Sequence, residues 1–170
     1  MNDSQGAGND RMKDVITDFL THFSFFEKLD NEGLLVVAEN IQLMEMESGE
    51  ILFSEGDKGD TVYFVVGGEL EVIKETVVGR EVGIDKVTIA TLSKGRSIGE
   101  MSVIDNTPRS ATVRSLTKSI LIALTLDGLN HICNEHPKVG IEILKGISRL
   151  LSMNMRKTSS RLADYMLPMG

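Results

Sequence analysis

Residues 42 to about 125 place the tightest limit on what this chain can fold into. Their apolar segments are short, rich in Val, Ile, Thr and Phe, and repeatedly broken by Gly and Asp. Segments of that length and composition read as strands. The candidates are Gln42–Met46, Glu50–Ser54, Thr61–Val66, Glu69–Glu75, Lys86–Leu92, Ala111–Ser115 and Ser119–Thr125. Glu55-Gly56-Asp57-Lys58-Gly59-Asp60 and Ser93-Lys94-Gly95 read as turns. Gly67-Gly68, set between two strand-like runs, is the signal of a two-residue hairpin. Val77 to Asp85 predicts a second, looser hairpin tip around Gly79 and Gly83. Many short strands separated by turns imply an antiparallel sandwich or barrel, not a parallel sheet.

Both flanks change texture. Residues 1–10 are polar and read as a disordered tail. Residues 11–41 read as N-terminal helices. Met12, Val15, Ile16, Phe19, Leu20 and Phe23 fall at helical spacing, and Phe25, Phe26 and Leu29 form a hydrophobic knot. Asp30 or Asn31 can cap a short helix bearing Leu34, Leu35, Val37, Ala38 and Ile41. Residues 126–167 read as C-terminal helices: a short one to Glu135, then a long one opened by Pro137 and stopped by Pro168. A length of 170 residues suits one domain with a real core.

Charge and composition exclude several functions. A net charge of -7 argues against direct nucleic-acid binding, which favours a basic surface. The charge is uneven, because residues 138–161 carry six cations against Glu142. That stretch reads as a solvated helix face or a basic docking surface. No apolar run approaches the roughly 18 residues of a membrane span, and the N-terminus lacks a secretory pattern. With Cys133 as its one cysteine, the chain has no disulfide framework and is expected in the cytoplasm. His22, His131 and His136 have no metal-ligand spacing, so no metal site is expected. The loop at 55–60 lacks the acidic spacing of a calcium loop. No catalytic set stands out, and an enzyme is not expected.

The stretch from Ile98 to Val113 does carry chemistry. Gly99 precedes Glu100-Met101-Ser102-Val103-Ile104, enough for one or two helical turns. The start of a helix presents free N–H groups that favour a phosphate. Gly99 lets the backbone approach closely. Arg109 can hold a phosphate through two parallel hydrogen bonds. Ionised Glu100 accepts only, so it suits a sugar hydroxyl and repels a second phosphate. The combination selects a nucleotide with one phosphate charge beside a free hydroxyl. The alternative is that Glu100 and Arg109 form a simple ion pair across a turn.

Gly99-Glu100-Met101-Ser102, a spacer, then Pro108-Arg109-Ser110-Ala111-Thr112-Val113 closely resembles the phosphate-binding cassette of cyclic nucleotide-binding domains. The stretches Gly49 to Asp57, Val62 to Leu70 and Leu126 to Pro137 are similar to other parts of that family, and the likeness covers roughly residues 20–160. It implies an eight-stranded antiparallel β-roll of jelly-roll type, mainly β, with N-terminal helices and a long C-terminal lid helix. It implies that Glu100 binds the ribose 2′-hydroxyl and Arg109 the cyclic phosphate, with Gly99, Met101, Ser102, Ser110 and Ala111 completing the contacts. The strand at Ile89-Ala90 would line the base side, and Asn154 falls near the lid's contact with the base, with Arg149, Arg156 and Thr158 as alternatives. Ile98 departs from the aromatic often found before Gly-Glu.

The ligand expected is cAMP, ahead of cGMP, in a sensor without catalysis. No helix-turn-helix or catalytic segment follows the roll, so a stand-alone domain is expected. The C-terminal helix is expected to relay binding to a second copy or an effector. The simpler role for its methionines is to fill gaps against the protein's own roll. A structural or interaction domain of the same fold that no longer binds nucleotide is the alternative function.

Overall fold

A computed structural model describes residues 16–77 and 84–166. Eight strands form two four-stranded antiparallel sheets. The strands are β1 (Ile41–Met46), β2 (Ile51–Phe53), β3 (Thr61–Gly67), β4 (Glu69–Val77), β5 (Ile84–Ser93), β6 (Ser97–Ile98), β7 (Thr112–Ser115) and β8 (Ser119–Thr125). The first sheet runs β1-β8-β3-β6 and the second β2-β7-β4-β5. This is the expected mainly β, jelly-roll architecture, with two facing sheets rather than a closed barrel. The helices are α1 (Asn31–Glu39), α2 (Glu100–Asp105), α3 (Leu126–Glu135) and α4 (Pro137–Met166). Residues 16–20 are also helical. The expected tail, the helix start at Met12 and Val15, and the stop at Pro168 lie outside the described residues.

The first sheet separates two cores. Inside the roll, Met46, Val65, Leu70, Val72, Ala111, Val113 and Leu121 pack between the sheets. On the outer face, Val62, Phe64, Val66, Ile122 and Leu124 meet Phe23 and Phe26 of the turns at 21–28 and Leu129, Ile132, Ile143 and Ile147 of α3 and α4. A strand with apolar material on both faces needs a continuous apolar run rather than alternation. Thr-Val-Tyr-Phe-Val-Val of β3 is such a run. Phe64 sits at the centre of the outer core, with the rings of Phe23, Phe25 and Phe26 at 5.1, 5.0 and 5.1 Å. Their tilted and edge-on arrangements are those favoured by the ring quadrupole.

The cap expected at Asp30 is formed, and the structure adds a second at Thr125. Asp30 caps α1 by accepting from Gly33 N at 2.9 Å, and Thr125 caps α3 by accepting from Gly128 N at 3.0 Å. In α4, Gly146 is a close-approach residue, because a Cβ there would run into the Phe25 carbonyl oxygen.

The Gly67-Gly68 hairpin is not formed. β3 pairs with β8 and β6, while β4 pairs with β5 and β7. The Gly pair is therefore a corner where the chain leaves one sheet for the other. Gly68 has φ +84°, and a Cβ there would press on the Lys118 carbonyl at 2.6 Å. Both sides of β3 are already taken in its own sheet, so β4 must fold over the inner core to bury Leu70 and Val72. The second hairpin does form, since Val77 pairs with Ile84. Its tip, with Gly79 and Gly83, lies outside the described residues.

Candidate functional site

The cassette begins where β6 ends. Gly99 has φ +90°, and its missing Cβ makes room for the Arg109 guanidinium and the Thr61 carbonyl. The six-residue α2 follows. It buries Glu100, Ser102 and Val103 and exposes Met101 and Ile104. Val103 reaches the outer core shared with α3 and α4. The helix stops at Asn106, which adopts the left-handed conformation at φ 54° and donates its N–H to Ser102 O at 3.0 Å. Asp105 then accepts from Thr107 N and Oγ1 at 3.0 and 2.7 Å, fixing the turn before Pro108.

Arg109 is held from every side. Its backbone N–H donates to Asp57 O at 2.8 Å, and its carbonyl accepts from Gly56 N at 2.9 Å. Its Nη2 donates to Thr61 O at 2.8 Å and its Nη1 to Gly99 O at 3.2 Å. The guanidinium carbon lies 4.2 Å from the Phe53 ring centre and 5.8 Å from that of Tyr63, within cation–π range. Burial pushes its pKa down, and Tyr63, Asp60, Asp57 and Glu100 push it back. It remains a cation.

Glu100 and Arg109 do not form the alternative ion pair. The guanidinium hydrogen bonds go to carbonyls, and Glu100 Oε2 has no partner at all. Among the described residues, two buried side-chain atoms lack a hydrogen-bond partner: Glu100 Oε2 and Arg109 Nε. Glu100 is 8% exposed and Arg109 5%. Burial pushes the Glu100 carboxyl above its ordinary range, partly offset by its own backbone N–H and by Arg109. Buried polar atoms without partners are rare and call for a reason. Here one acceptor and one cationic donor stand in the same short cassette.

The other expected residues divide. Gly99, Met101, Ser102, Ser110 and Ala111 belong to the cassette. Ser110 is exposed, with its carbonyl accepting from Lys74 Nζ at 2.7 Å, while Ala111 is buried in the roll. Ala90 pairs with Val72, a residue of the inner core, but is itself exposed. Ile89 is 55% exposed and sits at a bulge, since Val72 pairs with Ala90 and Ile73 with Thr88. Asn154 is exposed on α4, and its carbonyl accepts from Thr158 Oγ1 at 3.0 Å. It is not brought to Glu100 and Arg109. Every side chain from 153 to 166 is exposed, so the far half of α4 does not close over the cassette.

Two surface concavities lie elsewhere. One of about 410 Å³ is lined by Ser148, Arg149, Ser152, Met153 and Arg156. One of about 180 Å³ is lined by Ile51, Ile73, Lys86, Thr88, Thr112 and Arg114. Neither contains the unpartnered atoms, and the chemistry of those atoms outweighs concavity as a guide. Phe53, Tyr63, Thr61 and Asp57, which hold Arg109, were not singled out in the sequence. Their signals were indistinguishable from core residues and a turn.

Comparison with known proteins agrees with the geometry. The profile of the cyclic nucleotide-binding domain matches residues 43–136. A solved cyclic nucleotide-binding domain from Methylobacillus flagellatus superposes with a TM-score of 0.78 and 28% identity, over 93% of this chain and 86% of that one. A CRP-like cAMP-activated global transcriptional regulator from Mycobacterium tuberculosis is 23% identical over 86% of this chain and 62% of its own length. A cAMP-dependent protein kinase regulatory subunit from Mycosarcoma maydis is 31% identical over 62% of this chain and 19% of its own. The chain thus spans at most about three-fifths of these two curated relatives. Among the described residues, no helix is long and apolar enough to cross a membrane. With its cassette, its two facing sheets and a profile match over more than half its length, this chain belongs to the cyclic nucleotide-binding domain family.

Proposed function

We propose that this chain is a cytoplasmic, non-catalytic sensor that binds a cyclic nucleotide, cAMP in preference to cGMP. The observation that carries the reading is the pair of unpartnered buried atoms, Glu100 Oε2 and Arg109 Nε. A ribose hydroxyl donates to the first. A singly charged phosphate accepts from the second and from Arg109 Nη2, which has a further hydrogen besides the one given to Thr61. The N–H groups around Gly99 and Met101, with Ser102, Ser110 and Ala111, complete the sugar-phosphate contacts. Ala90 and Ile89 flank the base, and Asn154 meets it only if α4 swings inward. The preference for cAMP rests on the names of two relatives, one cAMP-activated and one cAMP-dependent.

The route outward runs through Val103. It lies in the same buried cluster as Ile143 and Ile147 of α4. A ligand that draws α2 toward the roll moves Val103 and biases α4 between two positions, by its differential affinity for them. The exposed Met155, Leu162 and Tyr165 of α4 then meet a second copy or an effector protein. A ligand-dependent thermal shift tests the binding. Cyclic nucleotide at about 100 times its Kd should add about 2.7 kcal/mol of stability. No shift with either cAMP or cGMP at millimolar concentration favours the alternative, a domain of this fold kept for interaction alone.

A further inference from the structure

In the loop at 55–60, Glu55 is half-buried, Gly56, Asp57, Lys58 and Asp60 are exposed, and Gly59 is buried. A Cβ on Gly59 would lie 2.5 Å from Ser102 Cβ, 2.7 Å from Ser102 Oγ and 2.8 Å from Arg109 Nε. No real Cβ tolerates such distances, so a side chain at 59 requires movement of the loop, of α2 or of Arg109. The loop cannot retreat freely, because Gly56 N–H and Asp57 O are both bonded to the backbone of Arg109. Nor can α2 move cheaply, because Val103 anchors it in the outer core. Arg109 is pinned by Thr61 O and Gly99 O, and its Nε is the unpartnered donor that faces Gly59.

We infer that Gly59 is a positioning residue for ligand binding, and that it interlocks with Ser102 and Arg109: a side chain at 59 competes with both for one space. Gly59 touches no ligand. It sets how deeply the Arg109 guanidinium seats between loop and cassette helix, and so where Nε presents its hydrogen. The inference rests on the proposed cyclic nucleotide reading for its functional half and on packing alone for its steric half.

A double-mutant cycle measured as cAMP affinity tests it. Gly59→Ala should weaken binding about tenfold in the wild-type background, as expected of one methyl too many in a closed site. In the Ser102→Gly background the same substitution should cost clearly less, about threefold, because only the Arg109 Nε contact remains. In an Arg109→Ala background it should likewise cost about threefold or less, because the Nε that it crowds is gone, whereas Lys would put a methylene in the same place. A purely structural role would not show this last result. Equal costs of Gly59→Ala in all three backgrounds, or no cost in the wild type, would overturn the inference. If the wild-type chain binds neither cAMP nor cGMP, the proposed function fails, and the interlock is then read from melting temperature. Gly59→Ala should lower the midpoint and Ser102→Gly should restore it. A failure of Ser102→Gly to restore the midpoint sinks the steric half as well.

Discussion

Glu100 carries its carboxylate to a place that water barely reaches, and one oxygen finds no protein donor there. Burial raises its pKa above the unfolded value. A carboxyl shifted upward contributes stability that is present below its unfolded pKa and is lost as pH rises through the folded one. Near neutral pH the ionised Glu100 therefore destabilises the ligand-free fold. Glu100→Gln should raise ligand-free stability at pH 7 by roughly 1 kcal/mol and flatten its pH dependence in urea denaturation. The same substitution should weaken cyclic nucleotide binding, because the neutral amide accepts a hydroxyl less strongly. Wild-type affinity should fall as pH drops through the raised pKa, where the carboxyl gains a proton and stops accepting with full charge. Opposite signs for stability and binding are the signature. A Glu100→Gln variant that loses stability at pH 7 would mean that the carboxylate is structurally satisfied after all.

The helices and strands show how far local sequence reaches. Asp30 and Thr125 lie one residue before the helices they cap, and α3 covers Leu126–Glu135 as its periodicity implies. The turn at Gly67-Gly68 was legible as a turn but not as a corner between sheets. Two glycines specify a positive φ, whereas the choice of partner strand depends on which face of Leu70 and Val72 must be buried. Gly68→Ala should cost at least about 1–2 kcal/mol, since it strains the backbone and crowds Lys118 O. An unchanged denaturation midpoint would remove the corner's significance. The cassette stood out in the sequence through its resemblance to the family's phosphate-binding cassette, whereas the spacing of Glu100 and Arg109 alone left a simple ion pair equally open. Phe53 and Tyr63, which cover the guanidinium, did not stand out, because an aromatic on a strand reads first as core. In α2, Val103 is the link to the outer core. Val103→Ala should destabilise the fold by about 1–2 kcal/mol. In hydrogen exchange it should shrink the ligand-induced change in residues 137–152. An undiminished change there would show that the signal leaves the cassette by another route.

On the scale of the whole molecule, one sheet stands between two cores with different tasks. The inner core lies between the sheets and borders Arg109 through Phe53 and Tyr63. The outer core joins β3 and β8 to every helix except the free end of α4. The cassette helix spans the two, with Glu100 and Ser102 beside Arg109 and Val103 among the outer residues. In the proposed relay, that placement would carry an event on one side of the sheet to the helices on the other. The central claim is that Arg109 Nε and Glu100 Oε2 are left unpartnered because a cyclic nucleotide completes them. Calorimetric titration of the wild type and Arg109→Lys with cAMP and cGMP tests it most directly. The account predicts one-to-one binding by the wild type and an affinity weaker by about tenfold or more in the variant, as expected when a bidentate contact is lost. No binding by the wild type at millimolar ligand, or equal affinities in the two proteins, would contradict it.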